Sequence, residues 1–179
     1  MQSIRLVLAT NNRHKVNEIR KILPESYELI SLEEAGVHEE LPETSATIAG
    51  NAIQKAARVF ELTGLECIAD DSGLEVDALD GRPGVHSAYF AGEPRNDQRN
   101  LIFLLDQMEG VVNRKARFRT VIALVREDGT FTFEGTVEGS ITNASRGSGG
   151  FGYDPIFQPE SDQRTFGEMS TEEKHVLSH

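Results

Sequence analysis

Two adjacent aspartates follow a short apolar run near the middle of the chain. Asp70 and Asp71 come directly after residues 65–69, and Ser72-Gly73 follows them. Because side chains alternate across a strand, both carboxylates can face one pocket only if the backbone turns, and Ser72-Gly73 is expected to supply that turn. Two close carboxylates disfavour each other's ionisation, which a hard cation such as Mg²⁺ relieves. The motif indicates metal-assisted hydrolysis with a carboxylate activating water, although Asp-Ser-Gly is equally typical of a solvated turn.

A second candidate site lies where the first strand is expected to end and a helix to begin. The segment reads Thr10, Asn11, Asn12, Arg13, His14 and Lys15. Free backbone amides and the dipole of a helix N-terminus favour an anion, and Lys15 adds a positive charge. The segment is not a Walker A loop, because Gly-x-x-x-x-Gly-Lys-Ser/Thr occurs nowhere in the chain. An anion site and an ordinary capped helix with a solvated lysine both fit this pattern.

A glycine-rich stretch in the last third of the chain could approach a ligand closely with its backbone. It reads Gly147-Ser148-Gly149-Gly150-Phe151-Gly152-Tyr153-Asp154-Pro155. Phe151 and Tyr153 offer ring faces on which a base could stack, and Asp154 can accept hydrogen bonds from a base or sugar. A flexible loop followed by a strand with core aromatics would have the same composition. Lys174 and His179 come later in the chain, at a spacing that need not bring both to one ligand atom.

Apolar periodicity predicts the elements around these motifs. Strands are expected over residues 4–9, 27–32, 65–69, 74–78 (half-exposed), 116–126, 130–137 and 155–157. Helices are expected over residues 13–23, over 47–60, from 96 and from 170. Ser170 and Glu173 predict a capping box, and Asp128-Gly129 predicts a hairpin. Helices that alternate with strands early, with a hairpin late, indicate an α/β protein with a mixed sheet.

The composition limits the kinds of partner. The formal net charge is −11 over 179 residues, so a nucleic-acid polymer is disfavoured, whereas a few lysines, amides and a divalent cation can neutralise a small anion locally. No run approaches about 18 consecutive apolar residues, so we expect no membrane partner. The single cysteine, Cys67, is expected in the core and fits a cytoplasmic location. Without linkers or repeats, residues 1–179 are predicted to form a single domain.

Taken together, these segments resemble the inosine/xanthosine triphosphate pyrophosphatase family. The residues that carry the match are Leu8-Ala9-Thr10-Asn11-Asn12, Lys15, Glu18, Glu43-Thr44, Asn51-Ala52, Lys55-Ala56, Ile68-Ala69-Asp70-Asp71-Ser72-Gly73-Leu74, Gly81-Arg82-Pro83-Gly84-Val85, Gly149-Gly150-Phe151-Gly152-Tyr153-Asp154-Pro155-Ile156-Phe157, Glu172-Glu173-Lys174 and Ser178-His179. Their order and spacing extend over essentially the whole chain. Each piece is weak alone, but Asp-Asp-Ser-Gly-Leu followed by Gly-Gly-Phe-Gly-Tyr-Asp-Pro is highly specific.

The resemblance implies a fold, a reaction and partners. The fold would be an elongated two-lobed α/β structure around a long mixed β-sheet with a central nucleotide-binding cleft. The reaction would be hydrolysis of XTP, ITP and dITP to the monophosphate and pyrophosphate, with Mg²⁺ as the cofactor. The protein would be a homodimer, and its partner a small nucleoside triphosphate.

The same resemblance implies roles for individual residues. Residues for the triphosphate would be Thr10, Asn11, Asn12, Arg13, His14, Lys15 and Lys174, with Ser72 next to the phosphates. Asp71 would be the general base and, with Glu43, a Mg²⁺ ligand, with Asp70 assisting. Phe151 would stack on the purine. The pocket for the 6-oxo base would be shaped by Gly152, Tyr153, Asp154 and His179.

Four departures from the family pattern stand out. Asn11 replaces a glycine, Gly50 replaces a glutamate, and Tyr89 replaces an arginine. The family also continues past Ser178-His179 with an arginine and a last helix. We expect a chain that ends at His179 to be less stable and less selective than one with that tail.

Two other function classes fit parts of the pattern. A related pyrophosphatase for modified pyrimidine or methylated nucleotides would share the carboxylates. A non-catalytic nucleotide-binding protein would keep Lys15 and the Phe151 loop but would not need Glu43, Asp70 and Asp71.

Overall fold

The secondary structure is that of an α/β protein. The computed structural model describes residues 3–11 and 13–177 and, of residues 13–15, 18, 22 and 175, the backbone alone. The elements are β1 (Ile4–Leu8), α1 (Arg13–Ile22), β2 (Tyr27–Ser31), α2 (Ile48–Thr63), β3 (Glu66–Val76), α3 (Asp97–Gln107), β4 (Lys115–Arg126), β5 (Gly129–Ile141), β6 (Phe157–Pro159) and α4 (Thr171–Leu177). Among the described residues, no helix combines the length and apolar character needed to span a bilayer.

The sheet contains six strands in the order β2-β1-β3-β4-β5-β6. β1 pairs in parallel with both β2 and β3, whereas β5 pairs antiparallel with β6. The sheet is therefore mixed, which confirms the predicted fold class.

The chain divides into two compact units, each with its own apolar cluster. The first unit comprises Met1–Asp71 and Val121–Glu134, and the second comprises Ser72–Thr120 and Gly135–His179. One cluster of the first unit is built from Leu6, Leu8, Val16 and Leu29, against which Ile19, Tyr27 and Ile68 pack. The cluster of the second unit includes Leu74, Val76, Leu104, Met108, Phe157 and Phe166.

Helix α2 forms where its apolar spacing and its end signals agree. Thr47 caps it, because its side-chain oxygen accepts a hydrogen bond from the N–H of Gly50 at 3.0 Å. Gly64, in the left-handed region at φ 66°, ends it. The buried stripe comprises Ile48, Asn51, Ala52, Lys55, Ala56 and Val59. The predicted helix over residues 47–60 is thus confirmed.

The predicted capping box before α4 is also confirmed. The N–H of Ser170 donates to Oε2 of Glu173 at 2.9 Å, and the N–H of Glu173 donates to Oγ of Ser170 at 3.2 Å. These two bonds satisfy amides that have no partner inside the helix.

The turn predicted at Ser72-Gly73 is absent, because these residues belong to strand β3. The strand runs without interruption from Glu66 to Val76, so Asp70, Asp71 and Ser72 lie inside the strand. The predicted alternation of a half-exposed strand is confirmed for residues 74–76, because Leu74 and Val76 are fully buried and Glu75 between them is partly exposed, but the strand ends at Val76 and not at residue 78. The predicted strand over residues 155–157 is wrong, since a 3-10 turn over Asp154–Ile156 precedes β6.

Candidate functional site

A lysine and two carboxylates meet in the first unit. Lys55 projects from α2, and its Nζ lies 2.6 Å from Oε1 of Glu43 and 3.3 Å from Oδ1 of Asp71. Asp71 is supplied by β3, and Glu43 by the segment that precedes α2. Lys55 is 9% exposed. We refer to Glu43, Lys55 and Asp71 as the carboxylate cluster.

Burial and neighbouring charges shift two pKa values in this cluster. Burial lowers the pKa of Lys55, but the hydrogen bond to Glu43 and the charge of Asp71 outweigh it, so this pKa lies above its ordinary value. Burial raises the pKa of Asp71, and the positive charge of Lys55 does not cancel that effect. The two directions are compatible, because Asp71 loses hydration and also faces the negative Glu43. A carboxylate with a raised pKa is a stronger base than a solvated one.

The segment that carries Glu43 is fastened to α2 by side-chain hydrogen bonds. The N–H of Ser45 donates to Oδ1 of Asn51 at 2.9 Å and to Oε1 of Gln54 at 3.1 Å. A Cβ on Gly50 would overlap Oγ of Ser45. The glycine that departs from the family pattern therefore allows this segment to lie directly against the helix.

Asp70 and Asp71 lie in a strand and not in a turn, so alternation directs them to opposite faces of the sheet. Asp71 is on the face that meets Lys55 of α2. The expected turn at Ser72-Gly73 is therefore wrong, although the charge of Asp70 still contributes to the raised pKa of Lys55. A ligand role for Asp70 remains a prediction.

The oxygen donors of the cluster suit a hard cation. Among the residues that the structure describes, no three His, Cys, Asp or Glu side chains assemble as metal ligands. Glu43 and Asp71, which share Lys55, are close enough to act as a pair. Mg²⁺ is commonly bound by one or two carboxylates together with water and substrate phosphates. The chemistry of this donor set therefore fits Mg²⁺.

The predicted phosphate segment begins after β1 and includes the first turn of α1. The N–H of Thr10 donates to the carbonyl of Leu8 at 2.8 Å, and Asn11 is exposed at the edge of a cavity of about 270 Å³. Asn12 lies outside the described residues. Arg13, His14 and Lys15 form the first turn of α1, as expected for a helix N-terminus that could receive an anion.

In the second unit, Asp154 connects the glycine-rich loop to α4. Asp154 is 1% exposed, and its Oδ2 accepts hydrogen bonds from Nζ of Lys174 at 2.5 Å and from the N–H of Phe151 at 2.8 Å. Phe151 is 70% exposed, and the ammonium of Lys174 lies 4.4 Å from its ring centroid. The structure thus brings Phe151, Asp154 and Lys174 together.

Tyr153 does not offer a ring face to a ligand. It is buried in the core cluster of the second unit, and its hydroxyl donates to the carbonyl of Ser87 at 2.8 Å. Burial raises the pKa of its phenol, and the charge of Asp97 adds to that effect. The idea that a base stacks on Tyr153 is wrong, because the residue is 5% exposed and belongs to the core cluster.

Of two further predicted substrate-binding residues, the structure describes only one. Ser72 is exposed, and its Oγ lies 2.8 Å from Oγ1 of Thr120. His179 lies outside the described residues.

Two site residues were assigned no role from the sequence, although Lys55 was among those that carry the resemblance. Lys55 lies on the apolar stripe of α2, seven residues after Ile48 and four before Val59. A lysine at a core position of a helix requires a buried partner, and this signal could have identified it. The other is Asp97, the first residue of α3, whose Oδ2 accepts a hydrogen bond from the N–H of Gly152 at 3.2 Å. No pattern in the sequence indicates that contact.

The Gly150→Ala substitution is expected to destabilise the glycine-rich loop. Gly150 has φ 72°, and a Cβ there would overlap the carboxylate of Asp154. Left-handed geometry costs a residue with a side chain roughly 1–2 kcal/mol, and displacing Asp154 adds roughly 1–3 kcal/mol. Gly110→Ala is the matched control, because Gly110 has φ 71° and open space around it. Chemical denaturation should show a larger loss for Gly150→Ala, and equal losses would contradict the predicted overlap.

Comparison with known proteins identifies close relatives. A sequence profile of the Ham1 family matches residues 6–179. A dITP/XTP pyrophosphatase of Porphyromonas gingivalis is 53% identical over 176 residues, which is 98% of this chain and 91% of that protein. The structure of the Staphylococcus aureus Ham1 protein superposes with a TM-score of 0.94 at 39% identity, covering 98% of this chain and 91% of that one. A Mycobacterium abscessus structure described as nucleoside-triphosphatase / dITP/XTP pyrophosphatase has a TM-score of 0.90 at 41% identity, covering 98% and 94%.

Proposed function

This chain belongs to the Ham1 family, and on that premise we propose that it hydrolyses non-standard purine nucleoside triphosphates. The substrates would be dITP, XTP and ITP, and the products the nucleoside monophosphate and pyrophosphate. The observation that carries the proposal is the carboxylate cluster, in which a partly buried base candidate lies beside a second carboxylate and a lysine.

Asp71 is the general base of the proposed reaction. Its carboxylate accepts a proton from water as the water oxygen bonds to the α-phosphorus. The bond from the α-phosphorus to the bridging oxygen breaks, and pyrophosphate leaves with that oxygen. The raised pKa of Asp71 suits this role, because a base works best when its pKa approaches the working pH.

Glu43 and Asp71 are also the proposed Mg²⁺ ligands, with Asp70 as an additional candidate. When bound, the metal would polarise phosphate oxygens and offset the negative charge of the triphosphate. Lys55 holds the two carboxylates close together before substrate arrives. Ser72, residues 10–15 and Lys174 are the proposed phosphate-binding groups.

Phe151 is the proposed stacking surface for the purine. The ammonium of Lys174 lies 4.4 Å from the centroid of its exposed ring, and the N–H of Phe151 donates to Asp154. Gly152, Tyr153, Asp154 and His179 are proposed to shape the pocket for the 6-oxo group. Because the ring of Tyr153 is buried, its contribution would be to hold this loop in place.

The test of the proposed function is product analysis. ITP, XTP, dITP, GTP, ATP and dTTP are each incubated with the enzyme and Mg²⁺, and pyrophosphate is separated from orthophosphate. We expect monophosphate and pyrophosphate with a strong preference for the first three. Preferred cleavage of a pyrimidine nucleotide would favour the related class of pyrophosphatases, and binding without turnover would favour a nucleotide-binding protein. We also propose that the protein is a homodimer, which sedimentation can test. Its proposed location is the cytoplasm.

The Phe151→Ala substitution is expected to weaken substrate binding more than the chemical step. Stacking of a base on an aromatic ring contributes roughly 1–3 kcal/mol, which corresponds to about 5- to 150-fold in kcat/KM. The control is Phe133→Ala, because Phe133 is also largely exposed, at 60%. Steady-state kinetics with dITP should show a higher KM for Phe151→Ala alone. An unchanged KM would exclude stacking on this ring.

A further inference from the structure

The direction in which the Phe151 side chain leaves the loop depends on its backbone. The residue is 70% exposed, so packing against the core contributes little, although the ammonium of Lys174 lies 4.4 Å from the ring centroid. The direction of the Cα–Cβ bond is set by the two peptide units on either side of the Cα. An enzyme that stacks a base on this ring needs both peptide units held in one orientation.

Each of these peptide units has its N–H held by a carboxylate. The N–H of Phe151 donates to Oδ2 of Asp154 at 2.8 Å. The N–H of Gly152, in the next peptide unit, donates to Oδ2 of Asp97 at 3.2 Å. Asp154 comes from the same loop, whereas Asp97 comes from α3, far away in the sequence. Asp97 thus ties the loop to α3, in addition to the bond between Asp154 and Lys174 that ties the loop to α4.

Asp97 is itself well anchored. It is the first residue of α3, where the helix dipole favours a negative charge. The preceding residue, Asn96, caps the helix by accepting a hydrogen bond from the N–H of Arg99 at 2.9 Å. Nε of Arg95 donates to Oδ1 of Asp97 at 3.2 Å, which leaves Oδ2 for Gly152. Asp97 and Phe151 also line the same cavity, of about 360 Å³.

We propose that Asp97 is a positioning residue for base recognition, which fixes the direction of the Phe151 side chain through the N–H of Gly152. The inference rests on the proposed function, because it assigns the ring to the substrate base. Asp97 need not touch the substrate. Its effect should therefore appear in the binding of the purine and in the choice between purines, and much less in the chemical step.

The test compares two substitutions of Asp97 with a matched control. Asp97→Ala removes the acceptor for Gly152, whereas Asp97→Asn keeps an acceptor oxygen and removes the charge. Arg95→Ala removes the other partner of Asp97 and leaves the bond to Gly152 in place. KM and kcat are measured with dITP and dATP in Mg²⁺, and thermal unfolding confirms that each variant is folded.

We expect Asp97→Ala to raise KM for dITP roughly tenfold or more, to lower the preference for dITP over dATP, and to leave kcat within about twofold. Asp97→Asn and Arg95→Ala should stay close to the unsubstituted enzyme. Hydrogen exchange of the Gly152 amide, followed by NMR, should accelerate in Asp97→Ala alone.

Two results would overturn the inference. An unchanged KM and unchanged Gly152 exchange in Asp97→Ala, in an enzyme that cleaves dITP, would exclude positioning by Asp97 and leave the proposed function intact. If the unsubstituted enzyme released no pyrophosphate from any purine triphosphate, the proposed function would fail first, and the role of Asp97 in base recognition would fail with it.

Discussion

The Asp71→Asn variant is expected to lose about 10²- to 10⁴-fold in kcat for dITP, which is the usual contribution of a general base. An amide has nearly the shape of the carboxylate but cannot accept a proton from water. The substitution also removes one of the two negative partners of Lys55, while Glu43 still holds the ammonium at 2.6 Å. The fold should therefore survive. Pyrophosphate release in the presence of Mg²⁺, measured beside thermal unfolding, checks both expectations.

Two further variants make this result specific. Asp106→Asn removes a carboxylate from an exposed position of α3 and should leave turnover unchanged. Asp70→Asn should have a smaller effect than Asp71→Asn, because alternation along β3 directs Asp70 away from the face that meets α2. If Asp71→Asn kept most of its turnover while Asp70→Asn lost it, the roles of the two aspartates would be reversed.

Local signals in the sequence determine much of the fold. Thr47 and Gly64 bound α2 because one supplies a capping oxygen and the other adopts the left-handed region. Ser170 and Glu173 open α4 through reciprocal hydrogen bonds. These features depend on residues close together in the chain, so they could be predicted. The resemblance to the pyrophosphatase family, confirmed by the Ham1 profile, rests on motifs of the same local kind.

The wrong or missing predictions concern features that depend on residues far apart in the chain. Asp-Ser-Gly favours a turn locally, but strand pairing keeps residues 70–73 extended within β3. Tyr153 looks like an accessible ring in a glycine-rich loop, but Ser87 supplies a buried acceptor for its hydroxyl. The role of Lys55 in holding two carboxylates could be recognised only once the positions of Glu43 and Asp71 were known. Periodicity places a residue on a helix face, but it does not identify the partner opposite.

The Lys55→Met variant is expected to lose stability, because it leaves Glu43 and Asp71 close together without their shared ammonium. Breaking a buried ion pair costs roughly 3–5 kcal/mol, and the lower end applies because Glu43 is half-exposed. For a chain of this size, about 3 kcal/mol corresponds to a decrease in Tm of about 6–12 °C. Lys21→Met is the matched control, because Lys21 is an exposed helical lysine of the same unit.

The stability loss of Lys55→Met should depend on pH in a direction that the structure fixes. Lys55 lowers the pKa of Asp71, so its removal should raise that pKa further above the ordinary value of 3.8. The pKa of Asp71 is higher in the folded protein than in the unfolded chain. Between these two pKa values the folded state binds more protons than the unfolded state, so stability falls as pH rises through this window. The loss should be largest at neutral pH and should shrink as acid protonates Asp71. A loss that is equal at neutral and acidic pH would show that Lys55 acts through packing and not through the charge of Asp71.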